Sequence, residues 1–141
     1  MRRRAERLTV PGPVEPEGWP RPRGYSNGYA VGNVLFVAGQ IGWDAQGRLV
    51  EGFLAQFELA LRNVRAVVDA AGVPPDRIGR VTIYVTDKRA YLERAREIGR
   101  IWREVLGKHF PAMSLVQVAD LLEDGALVEI EATAVLPEAR P

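Results

Sequence analysis

At 141 residues, with 47% hydrophobic and 26% charged residues, the chain has the size and composition of one soluble globular domain. A domain of this size buries about 68–70% of its unfolded surface. A formal net charge of +1 supplies no global field to attract nucleic acid or an anionic membrane. Cysteine is absent and His109 is the single histidine. That excludes disulfides, thiol nucleophiles and cysteine metal sites, and it fits a cytoplasmic protein. A His-rich zinc site or a Ser-His-Asp triad would need residues shared between subunits.

No apolar run approaches the roughly 20 residues of a membrane span, and no apolar h-region follows the opening MRRR, so neither a membrane helix nor a secretory signal is expected. Residues 1–23 carry Arg2, Arg3 and Arg4, then Pro11, Pro13, Pro16, Pro20 and Pro22. Proline at this density favours extended backbone and forbids helix. The segment is either a solvated tail or an arm on the surface, and Trp19 favours a docked arm because a large aromatic gains by burial. The remainder, 24–141, reads as a single domain. No basic stripe or row of stacking aromatics accompanies the arginines, so they are not read as a nucleic-acid anchor.

Tyr29–Val31 and Val34–Ala38 are apolar runs separated by Gly32-Asn33, a hairpin signal. Asp44–Gly47 reads as a turn leading into a short strand at Arg48–Val50. Gly52–Ala71 has Phe53, Phe57, Leu61, Val64 and Val68 on one helical stripe, with Gln56, Glu58, Arg62, Arg65 and Asp69 mainly off it. Gly72 and Pro74-Pro75 stop this helix. Arg80–Thr86 is a strand by composition. Lys88–Leu106 is a second helix, with Tyr91, Ala95, Ile98, Trp102, Val105 and Leu106 turned inward. Its other face is charged and reads as solvated. His109, just past Gly107, reads as a helix-end or exposed residue rather than a base. Ser114–Val118 is a short strand.

Gly125–Leu136, GALVEIEATAVL, alternates with period 2. Val128, Ile130, Ala132 and Ala134 fall on one side, and Glu129, Glu131 and Thr133 on the other. Two carboxylates on one face of an apolar strand have two explanations. They are the solvated face of an edge strand, or they wall a cleft in which one of them handles a proton or water. The element order is β-β-β-α-β-α-β-β, an α+β arrangement with both amphipathic helices on one face of a mixed sheet. The other face would show Phe36, Leu115 and Val135, so a homo-oligomer is expected.

Three segments carry a specific likeness: GYSNGYAVGNVLFVAGQIGWD at 24–44, FPAMSLVQV at 110–118 and GALVEIEATAVL at 125–136. Together they resemble the Rid family of reactive intermediate deaminases, also called the YjgF or L-PSP endoribonuclease family. The resemblance covers about Tyr25 to Leu136. It implies a chorismate-mutase-like fold and a homotrimer whose sheets form a barrel with clefts between subunits. It also implies a small-molecule metabolite as partner, with neither nucleic acid nor membrane. Deaminating members hydrolyse imines or enamines to ketones and ammonia without a cofactor. An arginine grips the substrate carboxylate and a glutamate handles water.

Carried over residue by residue, the resemblance assigns catalysis to Glu129 and Tyr25. It assigns substrate binding to Gly39, Gln40, Met113, Ser114 and Leu115, with Ala38 where some members have serine. The family's asparagine on the second helix falls near Ala95. The departure is Met113, which stands at the arginine of the Pro-Ala-Arg-Ser pattern in Pro111-Ala112-Met113-Ser114. A thioether cannot bind a carboxylate as a guanidinium does. Loss of such an anchor costs about 2–5 kcal/mol. The expected activity is therefore deamination with an altered grip, in a more apolar pocket that Trp43 and Phe110 help to line. Arg48 or Lys108 could supply a replacement cation. The alternative is a trimeric module that binds a metabolite without turning it over. RNA cleavage is disfavoured by the single histidine and the near-zero charge.

Overall fold

The computed structural model describes residues 11–137. The arginines at 2–4 lie outside them. The described chain forms a six-stranded mixed sheet with its helices on one face. In chain order the elements are β1 (Gly12–Val14), β2 (Gly28–Val31), β3 (Val34–Gln40), α1 (Phe53–Ala70), β4 (Ile78–Val85), α2 (Lys88–Leu92), α3 (Ala95–Leu106), β5 (Ala112–Gln117) and β6 (Val128–Val135). A short 3-10 turn at Pro75–Arg77 precedes β4. The sheet order is β1-β2-β3-β6-β4-β5. All neighbours are antiparallel except β4 and β5, which are parallel. The mixed α+β class expected from the alternation of patterns is the class observed.

The carboxylate-bearing strand is not an edge strand. β6 lies between β3 and β4, which removes the solvated-edge explanation for Glu129 and Glu131. β5 and β1 form the two edges instead. β1 comes from the proline-rich segment: Gly12, Pro13 and Val14 pair antiparallel with Ala30, Tyr29 and Gly28. Proline fits there because an edge strand leaves one side of its backbone unpaired. Trp19 packs partly buried against the core, as expected of a docked arm.

Two expected elements differ. Arg48–Val50 is not a strand and contributes only an isolated bridge between Leu49 and Trp43. The Asp44 carboxylate accepts from the backbone N–H of Gln46 and Arg48, both at 2.9 Å. This Asx arrangement holds a compact turn in place of strand pairing. The second helix is also divided. α2 starts with Asp87 accepting from Arg89 N–H at 3.0 Å and ends at Leu92. A tightened turn, Arg94 N–H to Tyr91 O at 3.1 Å, then leads into α3. Tyr91 meets Phe57 edge-on, with ring centroids 6.2 Å apart.

The core lies between α1, α3 and the helix-facing side of the sheet. Phe57, Leu61, Val64 and Val68 of α1 are fully buried, as are Val81, Ile83, Val128 and Ile130 of the central strands. Burying each such side chain contributes about 1.5–3 kcal/mol. Two polar residues of α1 are buried with them, Gln56 and Asn63. Gln56 lies off the apolar stripe of the sequence. It is inside because its amide satisfies a neighbouring loop, donating to Gly125 O at 3.1 Å and accepting from Leu127 N–H at 2.8 Å. Asn63 donates to Ile41 O and Trp43 O. Helix α1 thus holds by hydrogen bonds both loops that lead to the site.

Candidate functional site

The face of the sheet away from the helices carries the polar chemistry. On β6 it presents Glu129, Glu131, Thr133 and Val135. The pairings Tyr84↔Glu129, Thr82↔Glu131 and Arg80↔Thr133 put three residues of β4 beside them. The Tyr84 hydroxyl donates to Glu131 Oε1 at 2.8 Å. That bond, with some burial and the negative charges of Glu131 and Glu129, raises the Tyr84 phenol above its ordinary value. Glu129 is half-buried. Its carboxyl is held above the usual carboxylate value first by burial and then by the negative charge of Glu131.

The site is completed by an irregularity in β3. The register with β6 runs evenly from Val34↔Val135 to Val37↔Ala132, then slips before Gln40↔Ile130. Ala38 and Gly39 therefore bulge opposite one residue of β6, a device that bends a strand and re-aims what it carries. The bulge brings the Gly39 backbone against Glu129. A β-carbon at position 39 would lie 2.7 Å from Glu129 Cδ and 2.9 Å from Oε2. Only glycine admits the carboxylate there. Gln40, just past the bulge, turns inward and is 3% exposed. It supports the bulge from below, donating to Ala38 O at 3.1 Å and to Asn27 Oδ1 at 3.2 Å.

The residues expected to form one pocket do not all meet within one protomer. Gly39 and Glu129 are in contact. Met113 and Leu115, however, pair with Val81 and Ile83 and so point to the helix side of the sheet. Leu115 packs against the core rather than on the open face expected of it. Met113 stays 43% exposed because β5 is an edge. Ser114 pairs with Thr82 and shares the open face with Glu129. Tyr25, 63% exposed, stands on the loop before β2, two residues from Asn27. Trp43 and Phe110 are exposed as well. His109 is tied into the fold, with Nε2 at 2.7 Å from Ile78 O, while its carbonyl accepts from Trp102 Nε1 at 2.8 Å.

An open depression of about 330 Å³ adjoins the site on the same face, lined by Ser26, Tyr29, Phe36, Ala38, Arg80, Thr82 and Glu131. A second hollow, between the start of α1 and α2, holds Gly52, Phe53, Asp87, Arg89, Glu93 and Arg94. Glu129 does not line it. Among the described residues no group of three or more His, Asp or Glu side chains is arranged to hold a metal ion. No described helix is long and apolar enough to cross a membrane.

The profile of the family Endoribonuclease L-PSP matches residues 20–136. This chain belongs to that family, the Rid or YjgF family. A RutC family protein of Pyrococcus horikoshii is 36% identical over 121 residues, 84% of this chain and 92% of that protein. TdcF of Escherichia coli K12, named as a candidate reactive intermediate deaminase, is 33% identical over 139 residues, 96% of this chain and 98% of its own. Among solved structures, E. coli TdcF with bound serine superposes with a TM-score of 0.75 at 32% identity, covering 89% of this chain and 99% of that one. RidA from a Psychrobacter species gives 0.76 at 30% identity, covering 89% and 99%. The family match spans residues 20–136, a range that contains positions 39 and 129.

Sequence reasoning missed Tyr84, Asn27 and Gln56. Tyr84 was within reach, since RVTIYVT alternates and puts Arg80, Thr82 and Tyr84 on the face opposite Val81, Ile83 and Val85. Its partner Glu129 follows only from the β4–β6 register. Asn27 and Gln56 carry no periodic signal.

Proposed function

We propose that this Rid-family chain hydrolyses an enamine or imine metabolite to a carbonyl compound and ammonia, without a cofactor. Glu129 is the group that handles water. In the imine form, the water oxygen bonds to the imine carbon while the Glu129 carboxylate takes the water proton. That proton is delivered to nitrogen as the C=N π bond opens, giving a carbinolamine; the carbinolamine hydroxyl proton then passes to the amine as the carbonyl forms, the carbon–nitrogen bond breaks and ammonia leaves. No oxidation or reduction occurs. The observation that carries this reading is the half-buried Glu129 carboxyl. Its proton affinity is raised above the ordinary carboxylate value, and it is seated against Gly39, where a β-carbon would collide with it. A carboxyl shifted in that direction transfers protons more effectively near neutral pH. Tyr25 positions or protonates the substrate.

The working form in this proposal is a homotrimer with clefts between subunits. Two features support it. The open sheet face exposes Tyr29, Val31, Phe36 and Val135, an apolar band that a lone protomer leaves in water. Glu129 and Met113 point to opposite faces of the same sheet, so a cleft using both draws them from neighbouring subunits. Met113 in place of a guanidinium makes the substrate grip apolar at that point. This favours larger or less anionic enamines over small 2-imino acids.

The test is ammonia release from a panel of enamines generated in place, by wild type and Glu129→Gln, with the oligomer measured by light scattering. Activity lost in Glu129→Gln with the trimer intact supports the reading; undiminished activity removes Glu129 from the mechanism. Met113 also favours a second reading, a trimer that holds a metabolite without turnover. Calorimetric binding of a panel compound with no ammonia released would select it.

A further inference from the structure

The N-terminal strand reaches the site through a chain of hydrogen bonds. Glu15 immediately follows β1. Its side chain sits at the surface, yet both carboxylate oxygens turn inward onto Asn27: Oε1 accepts from the Asn27 backbone N–H at 2.9 Å and Oε2 from Nδ2 at 2.8 Å. A carboxylate only accepts, so this fixes the Asn27 amide with Nδ2 toward Glu15 and Oδ1 toward the interior. There Oδ1 accepts from Gln40 Nε2 at 3.2 Å, and the same nitrogen donates to Ala38 O at 3.1 Å. The loop is closed by Ala38 N–H donating to Asn27 O at 2.8 Å. Asn27 is 8% and Gln40 3% exposed, so the interior bonds are shielded from competing water.

This chain of bonds runs beside the candidate chemistry. Asn27 lies two residues after Tyr25. Ala38 and Gln40 flank Gly39, the residue seated on the Glu129 carboxylate. From this geometry we infer that Glu15 is a positioning residue. Its carboxylate clamps Asn27 and thereby holds the Tyr25 loop and the Ala38–Gln40 bulge in the arrangement that aims Glu129. The inference rests on the reading of Glu129 as the water-handling group. Without the carboxylate, Asn27 N–H and Nδ2 lose charge-assisted acceptors. The buried amide pair is then free to rotate, and the bulge loses its support.

The test uses the full-length protein, Glu15→Ala, Glu15→Gln and, for comparison, Val105→Ala, which removes core volume from α3 away from the clamp. Backbone amide exchange is followed at Asn27 and Ala38, and kcat and KM for ammonia release are measured well below every melting temperature. Glu15→Ala is expected to speed exchange at both amides at least about tenfold. It is expected to lower kcat about 10–100-fold with KM within about threefold, because a shift near 1 Å at a reacting group has that order of effect. Glu15→Gln keeps one acceptor oxygen and falls between. Val105→Ala lowers the melting temperature but leaves both readouts within about twofold. Unchanged exchange in Glu15→Ala overturns the inference, as does a kcat that follows melting temperature as it does in Val105→Ala. If wild type releases no ammonia from any enamine, the reading of Glu129 fails. Exchange then decides the clamp alone: faster exchange in Glu15→Ala upholds it and unchanged exchange rejects it.

Discussion

Replacing Gly39 by alanine places a single methyl group against the carboxylate that the proposed reaction depends on. The added carbon would lie 2.7 Å from Glu129 Cδ, and ordinary contact begins at 3.4 Å, so the carboxylate must withdraw by about 0.7 Å. Gly39 does not have a positive φ, so its backbone accepts alanine without strain. The atoms it meets are the far end of a flexible side chain, which moves at little cost. Loss of glycine also narrows the unfolded ensemble, which stabilises by about 0.4–1 kcal/mol where the native backbone is compatible. Stability should therefore stay level or rise slightly, with the melting temperature within about 3 °C of wild type. Activity should not stay level. Displacement by most of an ångström from a reacting atom costs on the order of 10²-fold, so kcat for ammonia release should fall about 10–100-fold. Calorimetry and an ammonia assay on the same samples separate the two effects. Wild-type kcat in Gly39→Ala alongside an inactive Glu129→Gln would show that the carboxylate's seat does not matter. A melting temperature lowered by many degrees would show that the contact is with something more rigid than a side chain.

Three further outcomes follow from the same geometry. The Glu129 carboxyl keeps its proton to higher pH in the fold than at the ordinary value of 4.5, so its contribution to stability is full below about 4.5 and is lost as pH rises through the native titration. Glu129→Gln, which mimics the protonated form, should match wild type in melting temperature near pH 4 and exceed it near pH 7; equal values at both would contradict the raised proton affinity. Met113→Arg should fold as well as wild type, because position 113 is 43% exposed on an edge strand, and should gain ammonia release from small 2-imino acids; no gain in a variant that melts like wild type would place the carboxylate grip elsewhere. Gln56→Leu leaves Gly125 O and Leu127 N–H without their partner, and chemical denaturation should show a loss of about 2–6 kcal/mol, each stranded group costing about 1–3; a loss under about 0.5 would mean water takes over both bonds.

The amino-acid sequence by itself determined the elements with strong periods and much of the site's raw material. The stripe of Phe57, Leu61, Val64 and Val68 defined α1 because a helix returns to one face every 3.6 residues. The alternation of Val128, Ile130, Ala132 and Ala134 put Glu129 and Glu131 on one face of β6 because a strand returns every second residue. Family likeness singled out Gly39 and Glu129, which the fold brings into contact. The tertiary structure alone decided whether β6 was an edge, what lay beside its carboxylates, and that Met113 faces away from them. Strand order and register join residues distant in the chain: Tyr84 meets Glu129 through antiparallel pairing, and Met113 takes its side from the parallel pairing of β5 with β4. The bulge at Ala38-Gly39 shifts the β3–β6 register by one residue and reverses which side chains of β3 face inward. Buried amides are equally silent in a linear pattern. Gln56 lies off the apolar stripe and Asn27 carries no pattern at all; both are buried because the groups they satisfy are brought to them from Gly125, Leu127, Gln40 and Glu15.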